Sequence, residues 1–169
     1  MRLFLFSLSA ALALFCATAR AGEAKWLADY SKAIEQAKTE NKVVLLDFTG
    51  SDWCGWCMKM KEEALDKPAF KHYAAKNLVL VEVDFPHNKS QASKVKEQNK
   101  TLSQKFNVHG YPCFVLVDKN EKELGRQGGY LAGGAKAFID KLNTFYTPAP
   151  ESSGTKTGSS DFDSFFKKP

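Results

Sequence analysis

Three short runs, KVVLLDF at 42–48, LVLVEVDF at 78–85 and PCFVLVD at 112–118, are apolar almost throughout instead of alternating. A strand with one wet face alternates, so runs of this kind predict strands covered on both sides. The intervening segments supply the cover. WLADYSKAIEQAKTE, 26–40, sets Trp26, Tyr30, Ala33, Ile34 and Ala37 at helical spacing. Residues 54–65 are rich in Met, Lys and Glu and predict a helix, and Pro68 opens a second short one, PAFKHYAAK. QASKVKEQNKTLSQKF, 91–106, predicts a long polar helix or helix pair, and GGAKAFIDKLNTFY, 133–146, a final amphipathic helix.

After the third run, KNE makes a turn into a shorter edge strand, KELGRQGG at 122–129. The first two strand pairs are linked by helical crossovers, which imply parallel neighbours and right-handed connections. The last two are linked by a short turn and should be antiparallel. The expected fold class is α/β, a mixed central sheet of about four strands with helices on both faces and an N-terminal helix.

The flanks differ from this core. MRLFLFSLSAALALFCATARA begins with an early arginine, continues in an apolar stretch from Leu3 to Phe15 and ends with small residues at Ala19 and Ala21. That is the pattern of a secretory signal peptide over residues 1–21. Its apolar run falls short of the roughly 18–20 residues that span a bilayer, so cleavage after Ala21 is expected and a retained anchor is the alternative. Lipid attachment at Cys16 is disfavoured by bulky Phe15 before it. A domain over 22–146 follows, and the Pro-, Ser-, Thr- and Gly-dominated residues 147–169 predict a disordered tail, with Phe162, Phe165 and Phe166 near its end. A periplasmic or secreted location follows from the signal.

Without residues 1–21, Arg2 and Arg20 are gone and 22 basic side chains face 19 acidic ones, a net charge of +3. No basic cluster stands out, which argues against nucleic-acid binding. Three cysteines remain, Cys54, Cys57 and Cys113, an odd number for an oxidising compartment, whereas a scaffold of structural disulfides shows an even set.

Cys54 and Cys57 stand three positions apart at a predicted helix start, in DWCGWCMKMK. Side chains at this spacing share one helix face, roughly 5–6 Å apart at Cβ, close enough to bridge after small adjustments. Unpaired amides and the positive end of the helix dipole favour a thiolate at Cys54. Cys57, deeper in the helix, is expected to be more buried and to resolve the mixed disulfide that Cys54 forms with a substrate. A zinc site would need a second ligand pair, and His72, His87 and His109 stand alone along the chain. A purely structural Cys54–Cys57 disulfide closes so short a loop that it would constrain the unfolded chain little.

The order LLDF, WCGWC, VHGYPCFVLVD and GG, over about residues 26–146, resembles the thioredoxin superfamily, with secreted bacterial thioredoxin-like proteins showing the nearest likeness. The resemblance implies a thioredoxin fold and a thiol:disulfide oxidoreductase that needs no organic cofactor and no metal. Cys54 and Cys57 would be the redox pair, Trp53 would shield the site, and Gly55 and Trp56 would form part of the substrate surface. Pro112 would be the cis-proline facing the pair, with the backbone of Tyr111 pairing with an extended substrate. Asp47 would be the buried acid that relays a proton to the deeper cysteine. A plain strand-end role for Asp47 stays open, because the segment to Cys54 is one residue longer than in ordinary thioredoxins and Asp52 offers a second acid.

Gly55-Trp56 replaces the Gly-Pro of ordinary thioredoxins and leaves the redox poise open. Cys113 has two readings: a small buried hydrophobe, or a third thiol for alternative disulfides or a three-thiolate Cu(I) site. The expected partners are protein disulfide substrates and a membrane or periplasmic redox partner, with the chain itself a monomer. Reduction of protein disulfides is the expected reaction. The alternatives are isomerisation, a thiol-based copper carrier and a peptide-binding module.

Overall fold

A computed structural model describes residues 24–148 of the chain. The expected signal peptide, with Cys16, and the tail beyond Pro148, with Phe162, Phe165 and Phe166, lie outside the described residues. Among the described residues no helix is long and apolar enough to cross a membrane.

The elements run β1 (Trp26–Leu27), α1 (Tyr30–Glu40), β2 (Val43–Thr49), α2 (Gly55–Met60), a π-helical segment (Lys61–Leu65), α3 (Pro68–Asn77), β3 (Leu78–Asp84), α4 (Ser93–Lys105), β4 (Cys113–Val117), β5 (Glu123–Gly128) and α5 (Gly134–Asn143). One five-stranded sheet has the order β1-β3-β2-β4-β5. The apolar strands β2, β3 and β4 fill its middle, as their lack of alternation requires. Val44, Leu46 and Phe48 point to one side and pack with α1 and α4 through Tyr30, Ile34, Leu102 and Phe106. Leu45, with Leu80 and Phe114, points to the other, against Met60, Phe70, Phe138 and Leu142.

Two features depart from the sequence expectations. Trp26 and Leu27 do not belong to the first helix; they pair in parallel with Leu80 and Val81 as a fifth strand. Asp29 is the cause, because its backbone is extended and its side chain accepts the amide of Lys32 at 3.1 Å, which starts the helix only at Tyr30.

The second departure is the direction of β4. It lies beside β2 and antiparallel to it, not parallel beside β3, with Phe48 opposite Cys113 and Val44 opposite Val117. The polar helix α4 explains this, since it has few apolar anchors and is held by side-chain amides. Asn99, in the middle of the helix, donates to the carbonyl of Asp84 at 2.9 Å. Gln98 donates to Ala28 and accepts the amide of Tyr30, each at 2.9 Å. These bonds tie α4 to the carboxyl end of β3, so the chain enters β4 from the end where it left the sheet.

On the α3/α5 side, the ring of Phe138 packs against Phe114 and Phe70 at centroid distances of 4.7 and 5.6 Å and is fully buried. Phe138→Ala is expected to lower the unfolding free energy in urea by about 3–5 kcal/mol. A loss below about 1 kcal/mol would contradict this packing account.

Candidate functional site

The carboxyl ends of β2 and β3 and the amino end of β4 meet at one edge of the sheet, and the cysteine loop springs from it. Gly50 accepts the amides of Trp53 and Cys54 at 3.2 and 2.9 Å, which turns the chain into α2. Cys54 is the cap of that helix, and its sulfur accepts the backbone N–H of Cys57 at 3.2 Å. The two cysteines are joined in a disulfide with Cα atoms 5.2 Å apart. Both are buried in this form, Cys54 at 7% exposure and Cys57 at 5%, so the expected contrast in burial between them is slight here.

Two aromatic groups flank the pair. Trp53, 40% exposed, donates its indole N–H to the carbonyl of Phe85 at 2.8 Å. It stacks on His87 with centroids 4.4 Å apart and meets the edge of Tyr111 at 5.8 Å, while Tyr111 stacks on Phe85. A Cβ at Gly50 would lie 2.4 Å from the indole, so Trp53 folds back over a position that only glycine leaves open. On the opposite flank, Trp56 is 58% exposed and tilts against Tyr130 at 5.2 Å, with the Lys59 ammonium over both rings. Tyr130 in turn donates its hydroxyl to Glu63. Gly55 lies between the two flanks in open space.

The peptide bond from Tyr111 to Pro112 is cis, and the carbonyl of Pro112 accepts the amide of Gly129 at 2.8 Å. Contact between Tyr111 and Trp53 brings this segment alongside the cysteine loop. Among the described residues neither the N–H nor the C=O of Tyr111 has a backbone partner.

Asp47 lies two residues beyond Leu45 on the same face of β2, the side covered by α2. It is buried, and its Oδ1 has no hydrogen-bond partner. Burial first, then the nearby charge of Glu82, pushes its carboxyl up to about 8 against partial relief from Lys61. Asp52 is otherwise engaged: it accepts the amides of His87 and Asn88 at 3.0 and 2.7 Å, and those bonds hold its carboxylate below the ordinary range. It pins the loop under Trp53 and leaves Asp47 as the acid inside.

Strand alternation sends Cys113 to the α1/α4 side with Phe48 and Val115, the face opposite Asp47. It is a free, buried thiol pushed up by desolvation. Among the described residues no three His, Cys, Asp or Glu side chains are grouped to hold a metal ion.

The structure brings Cys54, Cys57, Asp47, Trp53, Gly55, Trp56, Tyr111 and Pro112 to one end of the sheet, together with Phe85, His87, Tyr130 and Glu82, which the sequence did not single out for the site. The His-Asn pair directly after Pro86 at a strand end, and an acid inside an apolar run, were the signals available.

A family profile described as a thioredoxin-like domain matches residues 30–146. The chain belongs to the thioredoxin-like family. It is 39% identical over 115 residues to the disulfide bond reductase DsbH of Chlamydia pneumoniae, covering 68% of this chain and 69% of that protein. It is 34% identical over 105 residues to the thioredoxin-related protein DsbJ of the same organism, covering 62% of this chain but only 30% of the relative. The solved structure of a DsbH oxidoreductase superposes with a TM-score of 0.69 at 37% identity, covering 73% of this chain and 85% of that one. A thioredoxin from Thermus thermophilus, 21% identical with a TM-score of 0.55 and covering 73% and 87% of the two chains, shares the fold. The fold is thioredoxin's, and with its cysteine pair this member of the family is a thiol:disulfide oxidoreductase.

The buried carboxyl makes stability depend on pH. Above about pH 4 an unfolded Asp47 has lost a proton that the folded, disulfide-bonded chain keeps until about pH 8. Stability therefore falls as pH rises through that window and levels off above it. Measured by urea unfolding, the wild type should lose stability relative to Asp47→Asn between about pH 4 and 8. A difference that stays constant across this window would contradict a protonated interior acid.

Proposed function

We propose that this oxidoreductase reduces protein disulfides outside the cytoplasm, as a monomer, with Cys54 attacking and Cys57 resolving. The observation that carries this reading is the Cys57 amide directed at the sulfur of Cys54 at 3.2 Å. A capping sulfur that accepts a helix-start amide is stabilised as a thiolate, and the thiolate is the nucleophile of exchange.

In the reduced enzyme the Cys54 thiolate attacks one sulfur of a substrate disulfide, forming a mixed disulfide and expelling the other sulfur as a thiolate. Cys57 gives its proton to the carboxylate of Asp47 and attacks the Cys54 sulfur. The Cys54–Cys57 bond forms, and the second substrate sulfur leaves as a thiolate. Two electrons have passed to the substrate, whose thiolates take up protons. A dithiol partner resets the enzyme by the same exchange in reverse.

The unpaired backbone of Tyr111, beside cis Pro112, suits an extended substrate segment added in β fashion. Trp53 and Trp56, exposed on either side of the pair, suit apolar side chains of such a segment. Reduction is favoured over isomerisation by the similarity to a protein named a disulfide bond reductase. The signal-like sequence of residues 1–21 supports export, and disulfide-containing proteins are the partners that this chemistry requires.

With insulin as the disulfide substrate and dithiothreitol as the reductant, Cys54→Ser is expected to abolish turnover above the uncatalysed rate. Cys57→Ser should retain the first attack and accumulate mixed disulfides through Cys54, visible on non-reducing gels. Turnover retained by Cys54→Ser would overturn the assignment of the attacking sulfur.

A further inference from the structure

Glu82 is an acid within β3, where residues 78–81 and 83 are apolar. It stands in register with Asp47 on the neighbouring parallel strand, so both side chains leave the same face of the sheet. Adjacent strands lie about 4.8 Å apart, so the two side chains start as neighbours on that face, and the charge of Glu82 acts on the Asp47 carboxyl. Asp47 is buried with an unpartnered Oδ1, while Glu82 is half-buried and has no hydrogen bond or ion pair among the described residues.

Among the other groups around Asp47, Asp84, two positions along β3, also pushes its carboxyl up, but less than Glu82 does, and its own oxygens accept the amide and hydroxyl of Ser51 at 2.8 and 2.6 Å. From β4 the in-register residue is apolar Phe114, and Cys113 faces the other side of the sheet. Lys61, on the π-helical segment, supplies the one opposing charge and is itself exposed. A negative charge at the neighbouring register position adds to burial in disfavouring ionisation of Asp47.

We propose that Glu82 is a positioning residue that keeps a proton on Asp47 while the cysteines are joined, ready for the inner sulfur when their bond opens. This rests on the reading in which Asp47 exchanges a proton with Cys57. During resetting, a thiolate of the dithiol partner attacks the Cys54 sulfur, and the broken bond's electron pair goes to the Cys57 sulfur. That sulfur takes the proton from Asp47. The carboxylate left behind is repelled by Glu82 and regains the proton when Cys57 next attacks a mixed disulfide. Glu82 thereby sets the pH range over which the pair turns over.

The test follows the Asp47 carboxyl by carbon NMR titration of the oxidised full-length chain, alongside the pH–rate profile of insulin reduction. In Glu82→Gln, the Asp47 midpoint should fall by about one pH unit and the rate profile should move with it. Glu82→Asp, which keeps the charge, should stay near the parent in both. An Asp47 midpoint unmoved in Glu82→Gln would overturn the inference. Asp47→Asn separates the two levels. If it leaves the rate profile unaltered, the relay reading falls and the inference with it. If it alters the profile while Glu82→Gln does not, Glu82 alone loses its role.

Discussion

The backbone amide of Cys57 reaches the sulfur of Cys54 because α2 begins at Gly55 and leaves Cys54 as its cap. That bond depends on the turn before it, where Gly50 takes the amides of Trp53 and Cys54. The turn depends in turn on β2, which is paired with β4 as far as Phe48 and with β3 as far as Thr49 in a sheet covered on both faces. The buried strands hold the loop, the loop starts the helix, and the helix start directs one amide at the Cys54 sulfur. Trp53 and Trp56 flank this turn, each held by a further aromatic ring.

Beneath the pair, the sheet provides a different environment. Asp47 sits where charge is costly, and the neighbouring Glu82 raises that cost, so the interior acid holds a proton near neutrality. Above it, the Cys57 amide points at the sulfur of Cys54, where it would stabilise a thiolate in the reduced protein. On the proposed mechanism the outer cysteine attacks and the inner one exchanges a proton with the sheet. The polarity comes from placement more than from depth, since the joined sulfurs are almost equally buried.

The central strands were legible because a strand covered on both faces has no alternation to hide it, as VVLLDF and CFVLV show. The dithiol, Trp53 and Pro112 were legible because their chemistry is local in the chain. Trp26 and Leu27 were not, since two apolar residues ahead of a helix fit its periodicity until Asp29 is seen to cap it. The orientation of β4 was hidden for another reason. It follows from Asn99 and Gln98, polar residues in a polar helix whose backbone partners lie on distant elements. His87, Phe85 and Tyr130 reach the cysteine loop from other strands' ends, and no spacing rule connects them to it.

The direct measure of the account is the reactivity of the two sulfurs in the reduced protein. Alkylation with iodoacetamide, followed by peptide mass spectrometry as a function of pH, reads each cysteine separately. Cys54 is expected to react rapidly already near about pH 6, where an ordinary thiol is largely inert, while Cys57 lags well behind. Equal rates for the two, both at the level of a free cysteine, would contradict a helix-start amide as the source of the chemistry.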